Sequence, residues 1–153
     1  MTNALLLLGF LAAVAAAALM GAQFQPGDWY AGLEKPFFNP PNWIFGPVWS
    51  VLYVGIAVAG WLVWRHRGGA PLLLLWAAQL VLNLLWSWIF FGLHRPALAL
   101  VDIGLLLSSI VAFAVLAWPV SRAAAWLFAC YGAWVAFAML LNAAIWRLNP
   151  AVS

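Results

Sequence analysis

The chain has 153 residues, of which 69% are hydrophobic and only 6% are charged. A water-soluble domain of this size could not bury so much apolar surface, so the composition indicates a protein whose solvent is lipid. The six basic and three acidic residues are too few for the clustered basic face of a nucleic-acid-binding protein. The single cysteine, Cys130, excludes an internal disulfide and a cysteine-based metal site, and we interpret it as a small packing residue.

Five apolar runs are each long enough to cross a bilayer, which takes about 20 helical residues. They span 4–24, 43–64, 70–93, 96–120 and 123–146. The runs are too continuous for barrel strands, so their backbone polar groups must pair within helices. The first run has no positive side chain before it and is long for a signal peptide, so we expect a retained helix. The sequence predicts an all-α integral membrane protein, with residues 1–153 forming one five-helix transmembrane domain.

The connection between the first two runs differs from the others. The later connections are short turns, which place neighbouring helices antiparallel. Segment 25–42 is long, and it holds two of the three acidic residues, the only lysine and four of the nine prolines. Long connections in compact folds are usually functional or disordered, and the aromatic and proline residues argue against disorder. We predict a structured loop that acts as a lid over the bundle.

Charge and small residues give two weaker indications. Each side of the predicted bundle carries three basic residues, so the positive-inside rule leaves the orientation open, although the pair Arg65 and Arg67 favours a cytoplasmic location for its own side. The first run is rich in alanine and contains Gly9 and Gly21. Small residues allow close helix approach, either inside the bundle or at a self-association face, and we favour packing inside the bundle.

Polar and aromatic residues recur at helical spacing in three of the runs. The third run carries Gln79, Asn83 and Ser87 at steps of four, flanked by Trp86. The second run and the fifth run each present one such face, which comprises Trp49 and Tyr53 in the second and Tyr131, Trp134, Ala138 and Asn142 in the fifth. The asparagines could join helices by hydrogen bonds, and the tryptophans could simply pack. Alternatively, flat indole walls with a few amides describe a site for a flat apolar ligand.

Ordinary acid–base catalysis is not expected from the remaining polar residues. His66 and His94 both lie in connections, and no nucleotide-binding loop or metal-ligand cluster is present in the sequence. Asp102 is the only acidic residue within a run. It could be stabilised by the positive end of its own helix, pair with Arg95, or serve a proton or cation pathway. We predict no required cofactor and no bound metal.

Four motifs follow one another in the order of a known family. The loop reads W-Y-x-x-L-x-K-P-x-F-x-P-P over 29–41, and the second run reads V-W-x-x-L-Y over 48–53. The third run reads Q-L-x-x-N-x-x-W-S-x-x-F-F over 79–91, and the fifth has Y-x-x-W at 131–134 and L-N at 141–142. Nearly the whole chain therefore resembles the translocator protein family, also known as the tryptophan-rich sensory proteins and the peripheral-type benzodiazepine receptors.

The resemblance implies a function and a site. It implies a five-helix bundle, commonly a homodimer, that binds porphyrins such as protoporphyrin IX, sterols and benzodiazepine-site drugs, in tetrapyrrole transport, sensing or regulation. The ligand would lie beneath the loop, and the ligand-binding residues would be Tyr30, Trp49, Tyr53, Gln79, Asn83, Trp86, Tyr131 and Trp134. Some bacterial members are proposed to degrade porphyrin in light, for which the matching residues are Tyr30 and Trp134. A small proton-coupled exporter that uses Asp102 is a second alternative.

Two positions depart from the family pattern. Cys130 replaces the usual proline before Tyr131, so the fifth helix is expected to lose a kink there. The sterol motif of animal members has a tyrosine near the end of the fifth helix, whereas segment 141–147 contains none. We therefore expect a multi-pass protein of a bacterial membrane with a porphyrin-related role and weaker sterol binding.

Overall fold

The computed structural model describes residues 3–152, and it contains five long helices joined by one long connection, 22–41, and three short ones. The long helices are α1 (Asn3–Gly21), α3 (Asn42–Arg65), α4 (Gly69–Ser87), α5 (Pro96–Ala117) and α6 (Arg122–Leu148). The short helix α2 (Asp28–Ala31) lies between α1 and α3, a π-helical turn (Trp88–Gly92) extends α4, and a 3₁₀ turn (Pro150–Val152) follows α6. No strand occurs in this range. The five long helices are apolar and long enough to cross a membrane, which confirms the predicted all-α multi-pass protein.

Local sequence accounts for the helix boundaries. Pro96 occupies the first turn of α5, where its missing N–H leaves no bond unmade. The Ser121 hydroxyl accepts a hydrogen bond from the Ala124 N–H at 3.3 Å and so caps the start of α6. Arg67 and His94 adopt positive φ angles of 55° and 56°, which turn the chain out of α3 and out of the π-helical turn.

The helices form a closed ring in the order α1, α3, α6, α5, α4. The ring has two ends. Segment 22–41, which includes α2, lies at one end together with the C-terminus of α6. We call this segment the lid and this end the lid end. The α3–α4 and α5–α6 turns lie at the opposite end, which we call the turn end.

The outer surface of α1 corrects one prediction. Val14 is the only buried residue of α1. The small residues Gly9, Ala12, Ala13 and Ala16 are all exposed, so the prediction that the small residues of α1 pack inside the bundle is wrong for these four. Ala17 does pack against the core. Cys130 is also exposed on α6 rather than buried as a packing residue. Both surfaces lie on the outside of the helix bundle.

Candidate ligand-binding cavity

A cavity of about 390 Å³ opens at the lid end of the bundle. Its walls come from the end of α1, the start of α3, the end of α4 with its π-helical turn, the second half of α6, and the lid. The lining residues are Ala18, Gly21, Ala22, Phe24, Gln25, Pro26, Tyr30, Asn42, Phe45, Gly46, Trp49, Tyr53, Trp86, Ser87, Phe90, Phe91, Trp134, Ala138, Leu141, Asn142 and Ile145. This volume lies within the range of small-molecule sites in proteins.

Nine of the 21 lining residues are aromatic. Trp49 lies 5.4 Å from Tyr53 on α3, measured between ring centroids. Phe45 meets Trp134 edge to face at 5.8 Å, which joins α3 to α6. On α4, Trp86 stacks on Phe90 at 5.4 Å. Aromatic rings from three helices therefore line the cavity, and tilted, edge-to-face and stacked ring contacts hold them in place.

The structure brings five of the eight predicted site residues to the cavity wall. Tyr30, Trp49, Tyr53, Trp86 and Trp134 all line it. The Trp134 Nε1 atom is buried and has no hydrogen-bond partner within residues 3–152, so it is an available donor at this wall. The other three predicted residues, Gln79, Asn83 and Tyr131, are buried and are absent from the lining.

Asn83 joins three helices behind the cavity. The Tyr53 hydroxyl donates to Asn83 Oδ1 at 3.1 Å, and Asn83 Nδ2 donates to the Tyr131 hydroxyl at 3.1 Å. These bonds connect α3, α4 and α6 and fix the direction of the Tyr53 ring at the cavity wall. Gln79 lies one turn nearer the start of α4, further from the cavity, and its Nε2 donates to the Trp76 carbonyl at 2.9 Å.

Asn142 makes a second polar connection, at the cavity itself. Its Oδ1 accepts from Trp86 Nε1 at 3.0 Å, and its Nδ2 donates to the Pro96 carbonyl at 2.8 Å. One amide therefore ties α4, α5 and α6 together and holds the Trp86 ring against the cavity. Both asparagines act as interhelical hydrogen-bonding residues, one of the alternatives considered from the sequence.

The lid presents Tyr30 to the cavity. Tyr30 is 5% exposed, and its ring packs on Phe91 at 5.6 Å while its hydroxyl donates to Asn39 Oδ1 at 3.3 Å. The Lys35 ammonium lies 4.7 Å from the centre of the same ring. Burial raises the pKa of the Tyr30 phenol above its ordinary value, and the hydrogen bond with Asn39 offsets part of that rise. Tyr30 is therefore a neutral side chain at physiological pH.

The Lys35 side chain stabilises the lid by hydrogen bonds to backbone carbonyls of the lid itself. Its Nζ donates to the carbonyls of Ala31 at 3.3 Å and Leu33 at 3.1 Å. No ion pair between Lys35 and Glu34 or Asp28 is found in the part of the chain that the structure describes. The polar contacts of Lys35 close the turn after α2 and do not reach an acidic partner.

Two contacts fasten the lid to the helix bundle. Asn149, which follows α6, accepts from the Glu34 N–H at 3.0 Å and donates to the Glu34 carbonyl at 2.9 Å. Trp29 stacks on His94 with ring centroids 4.2 Å apart and planes 14° apart. The first contact reaches the end of α6, and the second reaches the connection between α4 and α5, so the lid is held on two sides of the cavity mouth.

Several lining residues were not predicted as site residues. Ala138 and Asn142 belong to the polar stripe seen in the fifth run, and Phe90 and Phe91 belong to the motif of the third, so helical spacing could have found them. Ala18 and Gly21 also line the cavity. The sequence marked them only as small residues of the first run, not as residues of a site. The contact between Asn149 and Glu34, which lies outside the lining, could not be predicted either, because the two residues are far apart in the chain.

Asp102 does not take part in this site. It is 6% exposed, its Oδ2 atom has no hydrogen-bond partner, and no ion pair with Arg95 is found in residues 3–152. No group of three or more potential metal ligands occurs among the described residues. The cavity itself has many aromatic and few polar side chains in its wall.

Comparison with known proteins agrees with this architecture. The model of the TspO/MBR family matches residues 5–147. The chain is 42% identical to the human translocator protein, over 93% of this chain and 89% of that protein. It is 40% identical to protein CrtK of Rhodobacter capsulatus, over 92% and 91% of the two chains. Identity to the tryptophan-rich protein TspO of Archaeoglobus fulgidus is 40%, over 96% and 99%. The chain therefore belongs to the TspO/MBR family of integral membrane proteins.

Proposed function

We propose that this protein binds porphyrins, with protoporphyrin IX as the representative ligand, and related flat hydrophobic molecules such as benzodiazepine-site drugs in the lid-end cavity. The observation that carries the proposal is the set of aromatic walls around a cavity that opens at the lid end, with Tyr30 of the lid among the lining residues. Binding would serve the transport, sensing or regulation of tetrapyrroles.

The shape and polarity of the cavity support this ligand class. Trp49, Trp86 and Trp134 present flat faces from three different helices. Flat apolar rings are matched best by a flat apolar ligand, because stacking and area burial then act together. The Trp134 N–H is an unused donor at the wall, and it would give such a ligand one oriented hydrogen bond.

A porphyrin titration tests the proposal. Protein purified in detergent is mixed with protoporphyrin IX, and binding is followed by the absorbance shift and fluorescence anisotropy of the porphyrin. Trp49→Ala removes one wall, and we expect an affinity loss of about tenfold, the effect of one lost stacking and burial contact. The matched control is Trp126→Ala, because Trp126 is 61% exposed on the outside of α6. Equal affinity of the two variants would contradict the site, and absence of binding by the wild-type protein would contradict the function.

Light-dependent porphyrin degradation is the second candidate function. It is favoured by the position of Tyr30 and Trp134, since both side chains line the cavity and could exchange an electron with an excited porphyrin there. The complex is illuminated in the presence of dioxygen, and the loss of porphyrin absorbance is compared with a dark sample. Slower loss with Trp134→Phe and Tyr30→Phe supports an enzyme, whereas unchanged rates leave only self-sensitised bleaching.

We also propose that the chain forms a homodimer, as the family resemblance implies. Gly9, Ala13 and Ala16 lie at steps of four and three on the exposed surface of α1, and such residues allow close helix contact in lipid. The mass of the protein in detergent is measured for the wild type and for Ala13→Leu. A monomeric variant would support α1 as the interface, and a monomeric wild type would contradict the dimer.

A further inference from the structure

A second concave surface lies at the turn end of the bundle, far from the cavity. This groove of about 550 Å³ runs between the start of α1 and the connection from α3 to α4. It is lined by Asn3, Leu6, Trp64, Arg65, Arg67, Gly68, Gly69, Ala70 and Leu73. None of the residues assigned to the lid-end cavity contributes to it.

The groove carries positive charge that no acidic side chain of residues 3–152 balances. Arg65 and Arg67 are exposed, and neither makes an ion pair in the part of the chain described here. The Arg65 guanidinium lies 5.3 Å from the Trp61 ring, which orients it without neutralising it. All three acidic residues lie elsewhere, since Asp28 and Glu34 are in the lid and Asp102 is near the start of α5, towards the lid end.

The backbone at this end adds to the positive character. Glycine Gly68 precedes the first residue of α4 and gives it no side-chain cap. The N–H groups at the start of a helix carry partial positive charge when they are not capped. The positive φ of Arg67 places this residue in the turn directly before that helix start.

The remaining walls are apolar and belong to membrane-spanning helices. Leu6 comes from α1, Trp64 from the end of α3, and Leu73 from the first turns of α4. A molecule seated here would therefore meet two guanidinium groups at the membrane surface and apolar side chains directly below them. That combination matches an amphipathic anion, because a fully hydrated anion would gain nothing from the apolar walls.

We propose that this groove binds an anionic phospholipid, such as phosphatidylglycerol. Arg65 and Arg67 hold the phosphate, since guanidinium groups match phosphate oxygens in geometry and charge. One acyl chain lies against Leu6 and Leu73. The lipid ties the start of α1, which buries only Val14, to the α3–α4 connection.

Competition between lipids tests the proposal. Protein in detergent micelles is titrated with phosphatidylglycerol and, separately, with phosphatidylcholine of the same acyl chains, and bound lipid is counted by native mass spectrometry. The variant is Arg65→Gln with Arg67→Gln. The matched control is Arg95→Gln with Arg147→Gln, because these two arginines are exposed at the lid end.

We expect the wild type and the control to retain phosphatidylglycerol in preference to phosphatidylcholine. The Arg65/Arg67 variant should lose about 30-fold in relative affinity for phosphatidylglycerol, at about fivefold for each basic residue near an anionic lipid surface. Porphyrin binding should be the same in all three proteins, so this result is independent of the proposed function.

Three outcomes would overturn the inference. Equal losses in the variant and the control would show a general attraction of surface charge. Equal retention of the two lipids by the wild type would show no anion recognition. Displacement of phosphatidylglycerol by millimolar inorganic phosphate would show that the groove recognises a free phosphate group and not a lipid.

Discussion

The two ends of the bundle use similar apolar residues but pack them differently. At the turn end, Ala57, Ala59, Ala117 and Ala124 are completely buried, because small side chains let the helices approach closely. At the lid end, bulky rings such as Trp49 occupy the facing positions and remain only partly buried. The turn end also holds large rings, but Phe113 and Phe128 stack on each other with ring centroids 3.8 Å apart and are completely buried. The rings at the turn end therefore fill the space between the helices, whereas the rings at the lid end line a cavity.

The strongest test of this comparison is Gly60→Ala at the packed end. A Cβ atom at Gly60 would lie 2.5 Å from Trp76 Nε1 and 2.8 Å from Phe10 Cδ1. The Trp76 ring cannot yield easily, because its Nε1 donates to the Ile56 carbonyl at 2.8 Å. We expect a loss of about 2 kcal/mol in the free energy of unfolding, typical of overpacking in a dense core. The loss is measured by thermal unfolding in detergent.

The control for Gly60 is Gly104→Ala. A Cβ atom built at Gly104 would meet only Met139 Cε, at the ordinary contact distance of 3.9 Å, so this variant should be at least as stable as the wild type. If both alanine variants unfold at the same temperature, the close packing of the turn end does not stabilise the bundle, and the comparison between the two ends fails.

Asn83→Leu tests the layer between the two ends. Leucine has a similar volume but removes both hydrogen bonds, those with Tyr53 and Tyr131. We expect unfolding to become easier by about 1–2 kcal/mol, as found for interhelical hydrogen bonds in membranes. Because Asn83 lies behind Tyr53, porphyrin affinity should change less than in Trp49→Ala. An affinity loss with unchanged thermal stability would place Asn83 in contact with the ligand instead.

The outcome for the eight predicted site residues shows what helical spacing can and cannot reveal. Steps of three and four place Trp49 and Trp134 on helix faces that they share with polar residues, and the family resemblance then suggested Trp49, Trp86 and Trp134 as ligand-binding residues. All three line the cavity. Spacing does not reveal how deep a residue lies along such a face. Asn83 and Tyr131 share the inward face but lie one layer below the cavity.

The fold was more predictable than the site for a physical reason. A membrane span requires about 20 apolar residues in a row, so each span is visible within one stretch of sequence. The cavity and the lid contacts depend on residues that meet from distant parts of the chain. Asn149 and Glu34 form two hydrogen bonds across 115 positions, and no local pattern marks either residue.

Asn149→Ala tests the contact that closes the lid end. The change removes both hydrogen bonds to the Glu34 backbone and leaves the cavity walls intact. We expect porphyrin association and dissociation to become faster by about tenfold, because the two partly exposed bonds together contribute about 1–2 kcal/mol to the closed lid. Stopped-flow fluorescence of the porphyrin gives both rates.

The control for Asn149 is Gln23→Ala. Gln23 also carries an amide at the lid end, but its side chain bonds only to the Leu19 carbonyl in the preceding turn. This variant should exchange porphyrin at the wild-type rate. Faster exchange in both variants, or in neither, would show that the Asn149 contact does not control access to the cavity.

Tyr30→Phe has the smallest expected effect on porphyrin affinity, and its effect on lid stability should depend on pH. The variant keeps the ring contact with Phe91 and loses only the long hydrogen bond to Asn39, so porphyrin affinity at pH 7 should fall by about threefold or less. Because burial raises the pKa of Tyr30 in the folded protein, the stability from the neutral phenol is complete below its ordinary value of 10.0 and is lost as the pH rises through the raised value. The difference in lid stability between wild type and Tyr30→Phe, followed by hydrogen exchange of the lid amides, should therefore be constant up to about pH 10 and change above it. A difference that already changes between pH 7 and pH 9 would show that the phenol is not buried under the lid.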